Sequence, residues 1–207
     1  MGGTIPPQIS NLVNLQQLSL DNNKLLGPIP SQLGSLPQLK YLSLFNNFFS
    51  CPLPSELGNL GQLECLLASN CQLNGPIPSS LSNLRNLVQL DLSFNNFNSP
   101  LPFSLSFPLL VSLNLASSQI TGSIPRFNQI PSIQTLLLNS NLFTGSLSDD
   151  FSSTPSLSQL YLHANQLTGA VPPSLFSLSN LSSLWLFNNN FTGTLPSSIS
   201  LPSLSQL

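Results

Sequence analysis

Residues 160–196 read LYLHANQLTGAVPPSLFSLSNLSSLWLFNNNFTGTLP, a stretch that states one pattern twice. Leu160, Leu162, Asn165, Gly169 and Pro172 return 24 residues later as Leu184, Leu186, Asn189, Gly193 and Pro196. Tyr161 and His163 do not return; Trp185 and Phe187 stand in their places. One set of residues is kept and another varied, which separates a structural task from a second one. Self-similarity at this period is the signature of a solenoid.

The pattern extends outward over the whole chain. Eight units begin at Leu15, Leu39, Leu63, Leu87, Leu110, Ile133, Leu157 and Leu181, spaced by 23 or 24 residues. We number them units 1 to 8. Their fourth residue is always Leu, and their sixth is Leu except for Ala68 in unit 3. Leu at the fourth and sixth positions is period-two alternation, so each unit is expected to contribute one short strand with its leucines on one face. A single strand cannot bury that face alone. Stacking the units in parallel does so, with neighbouring strands about 4.8 Å apart.

The ninth residue is Asn23, Asn47, Asn95, Asn141, Asn165 or Asn189 in six units, with Cys71 and Ser118 in the other two. An inward amide suits the backbone groups that a turn leaves unpaired, so these residues are expected to form an asparagine ladder. Gly-x-(Ile/Leu/Val)-Pro follows at Gly27–Pro30, Gly75–Pro78, Gly122–Pro125, Gly169–Pro172 and Gly193–Pro196. Glycine permits a tight turn, and proline ends hydrogen-bonded continuation. The return half of each unit is therefore expected to be irregular or short-helical.

This pattern, best matched by LQQLSLDNNKLLGPIP at residues 15–30, resembles the plant-type leucine-rich repeat. That class includes the ectodomains of receptor-like kinases and receptor-like proteins, and the polygalacturonase-inhibiting proteins. The resemblance implies an α/β-type solenoid: a right-handed superhelix with a parallel sheet on its concave face and an irregular or 3-10 convex side. The residues between the strand leucines would face the concave surface. Departures are local: Cys51 and Ser99 replace the turn glycine, Ser148 replaces the proline, and units are one residue short near Pro108, Asn128 and Pro202.

The solenoid is expected to span residues 1–207 as one domain, with a partial unit at 1–14, full units over 15–203 and a partial unit at 204–207. The distinct terminal caps usual in the resembled family are not seen, so the chain reads as a stretch of a longer protein.

Bulk composition narrows the partners. Only 5% of the 207 residues are charged, against about 25% in typical soluble domains. Four Lys plus Arg and a net charge of −2 provide no basic stripe for nucleic acid. Ser, Asn, Pro or Gly interrupts every leucine cluster, so no membrane span of ~20 residues is present. Cys51, Cys65 and Cys71 lie at different repeat positions and are expected to be free thiols, with Cys71 a small buried substitute for Asn. No cofactor or metal set is indicated; Asp149 and Asp150 offer too few oxygens for calcium.

Catalysis has little support. The single histidine, His163, has no acid nearby to orient it. A recognition surface fits better. Tyr161, His163, Trp185 and Phe187 occupy the fifth and seventh positions of units 7 and 8, where alternation turns them outward into a two-by-two aromatic patch. Two readings stand: a binding site, as for clustered exposed aromatics, or lateral cross-strand packing without a ligand. Tyr41, Phe45, Asp91 and Leu137 extend the same face as a mixed track. A peptide, a protein surface or a glycan would suit it.

Two sequons, at Asn180 and Asn190, add N-glycosylation candidates. With the resemblance, they imply an extracellular location, either secreted or on the outer part of a membrane receptor. The leading expectation is a non-enzymatic recognition module that binds a peptide or protein. The alternatives are inhibition of a secreted wall-degrading hydrolase and adsorption to a polysaccharide or ice surface. Lattice adsorption would require one outward residue type to repeat, and these rows are heterogeneous.

Overall fold

The computed structural model describes residues 2–102, 106–196 and 199–206. Met1 and Leu207, the outer bounds of the expected domain, lie outside the described residues. The third to fifth residues of every unit form a strand: Gln17–Ser19, Tyr41–Ser43, Cys65–Leu67, Gln89–Asp91, Ser112–Asn114, Thr135–Leu137, Gln159–Tyr161 and Ser183–Trp185. They make an eight-stranded parallel sheet in chain order. Register is unslipped throughout, with Leu18, Leu42, Leu66, Leu90, Leu113, Leu136, Leu160 and Leu184 lying partner to partner.

All eight fourth-position leucines point into one continuous core. Leu18, in the first strand, is half-buried, and the other seven are buried. The eleventh residue supplies the opposite wall, alternating bulk along the stack: Leu25, Phe49, Leu73, Phe97, Ile120, Phe143, Leu167, Phe191. Phe49, Phe97 and Phe143 are fully buried. Placing a ring on every second rung fills the interior at even density, as a close-packed core requires.

The ladder asparagines hold the units at this pitch. Asn141 Nδ2 donates to Leu115 O of the preceding unit at 2.7 Å and to Leu138 O of its own at 3.1 Å. Its Oδ1 accepts the Ser118 and Ile120 N–H groups at 3.1 and 3.0 Å. Asn95 makes the equivalent four bonds. At the other two rungs Cys71 Sγ donates to Leu44 O, and Ser118 Oγ to Leu92 O, which keeps the donor side of the ladder. Burial pushes the Cys71 thiol up to about 12, so it remains protonated in that role.

What Cys71 and Ser118 lack is the amide oxygen, and the preceding units have adjusted. The Phe49 and Phe97 N–H groups reach past the missing side chain to the backbone carbonyls of Cys71 and Ser118, at 3.1 Å in both cases. The left-handed residue of the following turn then moves back one place. It is a glycine at the thirteenth position in units 1, 3, 5, 6, 7 and 8, but Ser50 and Asn98, at the twelfth, in units 2 and 4. Cys51 and Ser99, which stand where the turn glycine was expected, are therefore tolerated because their positions no longer require positive φ. Each missing glycine is paired with a missing asparagine one unit later.

The convex side carries 3-10 turns, as expected, at residues Pro7–Asn11, Ser31–Ser35, Ser55–Asn59, Ser79–Asn83, Phe127–Gln129, Phe151–Ser153 and Pro173–Ser177. They pack closely: a Cβ on Gly34 would lie 2.1 Å from the Glu56 carbonyl oxygen. A second sheet was not anticipated. Thr121–Ser123, Leu142–Ser146, Gln166–Gly169 and Asn190–Phe191 pair in parallel along the flank. It runs where Asn141, Asn165 and Asn189 stand in successive units. Strand alternation there spans too few residues to be read in sequence.

Replacing Asn141 with Ala takes the side-chain partner from the Leu115 carbonyl and from the Ser118 and Ile120 N–H groups inside the solenoid, while Leu138 O keeps Asn165 Nδ2 at 3.0 Å. We expect a loss of about 3 kcal/mol or more in denaturant unfolding, against a smaller effect for Asn23→Ala in the half-buried first rung. Cys51→Gly and Cys71→Asn should be coupled: the double variant is expected to exceed the sum of the single variants in stability by about 1 kcal/mol or more in a double-mutant cycle.

Candidate functional site

With the leucines turned inward, the third, fifth and seventh residues of each unit form three rows across the outer face of the large sheet. The fifth-position row runs Ser19, Ser43, Leu67, Asp91, Asn114, Leu137, Tyr161, Trp185, with neighbours in strand register. At its end the rings are ordered. Tyr161 and Trp185 stack with centroids 4.3 Å apart and planes 6° from parallel. His163 and Phe187 stack at 4.5 Å and 17°. Across the pairs, His163 lies 5.2 Å from Trp185 and Phe187 6.2 Å from Trp185, both tilted. The strand spacing of ~4.8 Å is close to a stacking distance, which is why in-register rings lie face to face.

Stacking consumes ring faces. Tyr161 and Trp185 cover one another, and Tyr161 is flanked on its other side by the strand of Leu137. The surface offered to a ligand is a ribbed apolar one, of which Phe187 is the most open part at 55% exposure. Burial among these rings pushes His163 below the ordinary imidazole range. Its Nδ1 is enclosed and has no hydrogen-bond partner among the described residues. A base needs an orienting acceptor, and this imidazole has none there.

Asp91 lies three strands from Tyr161 along the same row. Its Oδ1 accepts the Ser93 N–H at 2.9 Å and the Ser93 hydroxyl at 2.6 Å, while Oδ2 accepts a longer bond from Asn114 Nδ2, at 3.3 Å. Ser93 and Asn114 were not singled out in the sequence. Both occupy outward positions beside Asp91, Ser93 two residues on in the same unit and Asn114 on the neighbouring strand, and those positions were the available signal. Tyr41 and Phe45 sit in unit 2, six strands from Trp185, so they do not join the aromatic patch. Of the two sequons, Asn180 is exposed and donates through Nδ2 to Pro155 O at 2.9 Å. Asn190 is exposed at the edge of the flank sheet.

Charge on this face is sparse and of one sign. Asp21 and Asp91 are the charged residues in the three rows, and none is Lys or Arg. A hydrogen bond from the Ser19 hydroxyl holds the Asp21 carboxyl below its usual range. Lys40 and Glu64 stand at the second position and pair at 3.4 Å. Among the described residues no group of three or more His, Cys, Asp or Glu could hold a metal ion, and no helix is long and apolar enough to cross a membrane.

The family model described as Leucine Rich Repeat matches residues 14–36, 38–60, 62–84, 86–107, 156–178 and 180–201. The chain belongs to the leucine-rich repeat family. The model passes over units 5 and 6, where Ser118 and Ser148 replace pattern residues, yet both units are regular in the structure. A search of curated proteins gives no match. Among solved structures, this leucine-rich repeat chain is similar to the plant peptide hormone receptor RGFR1, solved in complex with RGF2, at 32% identity and a TM-score of 0.95, over 100% of this chain and 34% of that one. It is also similar to the Arabidopsis receptor kinase HAESA, solved with the peptide hormone IDA and the co-receptor SERK1, at 36% identity and a TM-score of 0.91, over 100% of this chain and 35% of that one. A plant ice-binding protein matches at 28% identity and a TM-score of 0.72, over 95% of this chain and 71% of that one. The chain spans about a third of the length of these two receptors, and the likeness is to plant receptor ectodomains.

The enclosed His163 generates a pH prediction. Its folded pKa lies below the unfolded value of about 6.5, so the unfolded state takes up the proton first as pH falls. The stability tied to neutral His163 is complete above that pH and declines below it. Thermal melts between about pH 7.5 and pH 5 should show a smaller fall for His163→Gln than for the parent. Asp21 and Asp149, held below the usual carboxylate range, lose their contributions in a lower window.

Proposed function

We propose that this segment is a non-enzymatic extracellular recognition module that binds a peptide or a protein on the concave face of its large sheet. The observation carrying this reading is the ordered aromatic patch of Tyr161, His163, Trp185 and Phe187, held outward beside Leu137 by strand alternation. Clustered, partly exposed aromatics on a rigid sheet lose little conformational entropy on binding, and such residues dominate interface energetics. Similarity to receptors solved with peptide hormones supports the ligand class and an extracellular position. Glycosylation at Asn180 and Asn190 belongs to the same reading; each side chain is exposed. Binding of a glycan on the concave face is less favoured, because sugar rings stack on aromatic faces and here those faces cover one another.

The likeness to an ice-binding protein gives a second reading a specific observation. Its best local support is an exposed row in which Asn46 Nδ2 donates to Asn22 Oδ1 and Asn70 Nδ2 to Asn46 Oδ1, both at 2.9 Å. Phe94, 61% exposed, interrupts that row in unit 4. A surface matching a lattice needs longer repetition. Inhibition of a secreted hydrolase would use the same concave face as the leading reading.

Trp185 is the single tryptophan, so its fluorescence reports on the patch directly. Selection from a randomised linear peptide library should yield binders that perturb Trp185 emission. Tyr161→Ala with Trp185→Ala is expected to weaken them at least tenfold without changing the far-ultraviolet circular dichroism. Binders indifferent to that double variant would remove the patch from the function.

A further inference from the structure

Resting on that reading, we propose that the peptide bound on this face carries a basic side chain, which pairs with Asp91, and an apolar side chain, which lies on the Tyr161 and Trp185 rims. Both anchors belong to one register-locked row, Asp91, Asn114, Leu137, Tyr161, Trp185, so the sheet itself sets their separation. Four strand spacings of ~4.8 Å amount to roughly 19 Å. An extended peptide advancing about 3.3 Å per residue crosses that distance in about six residues. The intervening surface, Asn114 and Leu137, is uncharged and only half-buried.

The choice of sign comes from the face as a whole. Its three outward rows contain two carboxylates and no cation, and Lys40 beside them is already paired with Glu64. Lys24, Arg85 and Arg126 occupy other repeat positions, so nothing in these rows would receive a peptide carboxylate. Asp91 is also positioned in advance: two bonds from Ser93 fix Oδ1, and among the described residues Oδ2 makes only the 3.3 Å bond from Asn114. That leaves Oδ2 able to accept a short charge-assisted bond. An acidic peptide would meet repulsion with no compensating partner, so the face discriminates by charge as well as by shape.

The test is selection of the same randomised peptide library against the parent chain and Asp91→Asn, with Asp21→Asn as a charge-matched control far from the patch. Asparagine keeps an acceptor for Ser93; Asp91→Ser provides a second variant, and circular dichroism with Trp185 emission checks both folds. The expected result is enrichment of Lys or Arg about six residues from an aliphatic or aromatic residue. That enrichment should be lost in the Asp91 variants and kept in Asp21→Asn. A selected peptide should bind at least tenfold more weakly to Asp91→Asn, and its binding to the parent should weaken with added salt. Peptides that need Tyr161 and Trp185 but show no basic preference, or keep one in Asp91→Asn, would overturn this inference and leave the recognition reading standing. If no selected peptide depends on Tyr161 and Trp185, both are overturned.

Discussion

Each turn of this solenoid leaves backbone N–H and C=O groups facing an interior that water does not reach, and the ladder side chain is what satisfies them. Asn95, Asn141, Asn165 and their equivalents bond carbonyls of two successive units through Nδ2 and amides of the preceding unit through Oδ1. An unpaired buried polar group costs about 1–3 kcal/mol, so this bonding decides whether the leucine interior can exist at all. It also sets the pitch. Once units are held one strand spacing apart, the fourth-position leucines meet in register and the eleventh-position Phe and Leu alternate to fill the remaining volume.

The two rungs without asparagine show what the amide contributes. Cys71 and Ser118 preserve the donor, so carbonyls of units 2 and 4 are still satisfied. Losing the acceptor reroutes the Phe49 and Phe97 N–H groups to backbone oxygens and displaces the turn by one residue. Ser50 and Asn98 then carry the left-handed conformation that glycine carries elsewhere. Two apparent irregularities in the sequence are thus one physical adjustment, seen from neighbouring units.

Function is separated from this scaffold by the two-residue period of the strands. Inward positions are constrained by packing, while the third, fifth and seventh positions vary without disturbing the core. The same pitch that stacks strands also stacks the rings of Tyr161 on Trp185 and of His163 on Phe187. Lateral packing and ligand binding are therefore compatible: stacking fixes the rings and leaves their rims outward. With so few charges in the chain, a lone carboxylate such as Asp91 acts with little competition from neighbours.

Much of this was legible in the residues themselves. The repeat, a short strand around the fourth and sixth positions, the inward leucines, the ladder and the pairing of the aromatic rows all follow from local periodicity, because a strand's side chains must alternate and a lone unit cannot bury its own face. The sequence did not reveal the flank sheet, the coupling of Cys51 to Cys71 or the network of Ser93 and Asn114 around Asp91. Those features depend on groups in different units, about 22 to 25 residues apart, meeting across the stack. Composition and period determined which residues face inward; only the stacked structure decided which outward residues are neighbours, because contact between units depends on register and pitch that no single repeat contains.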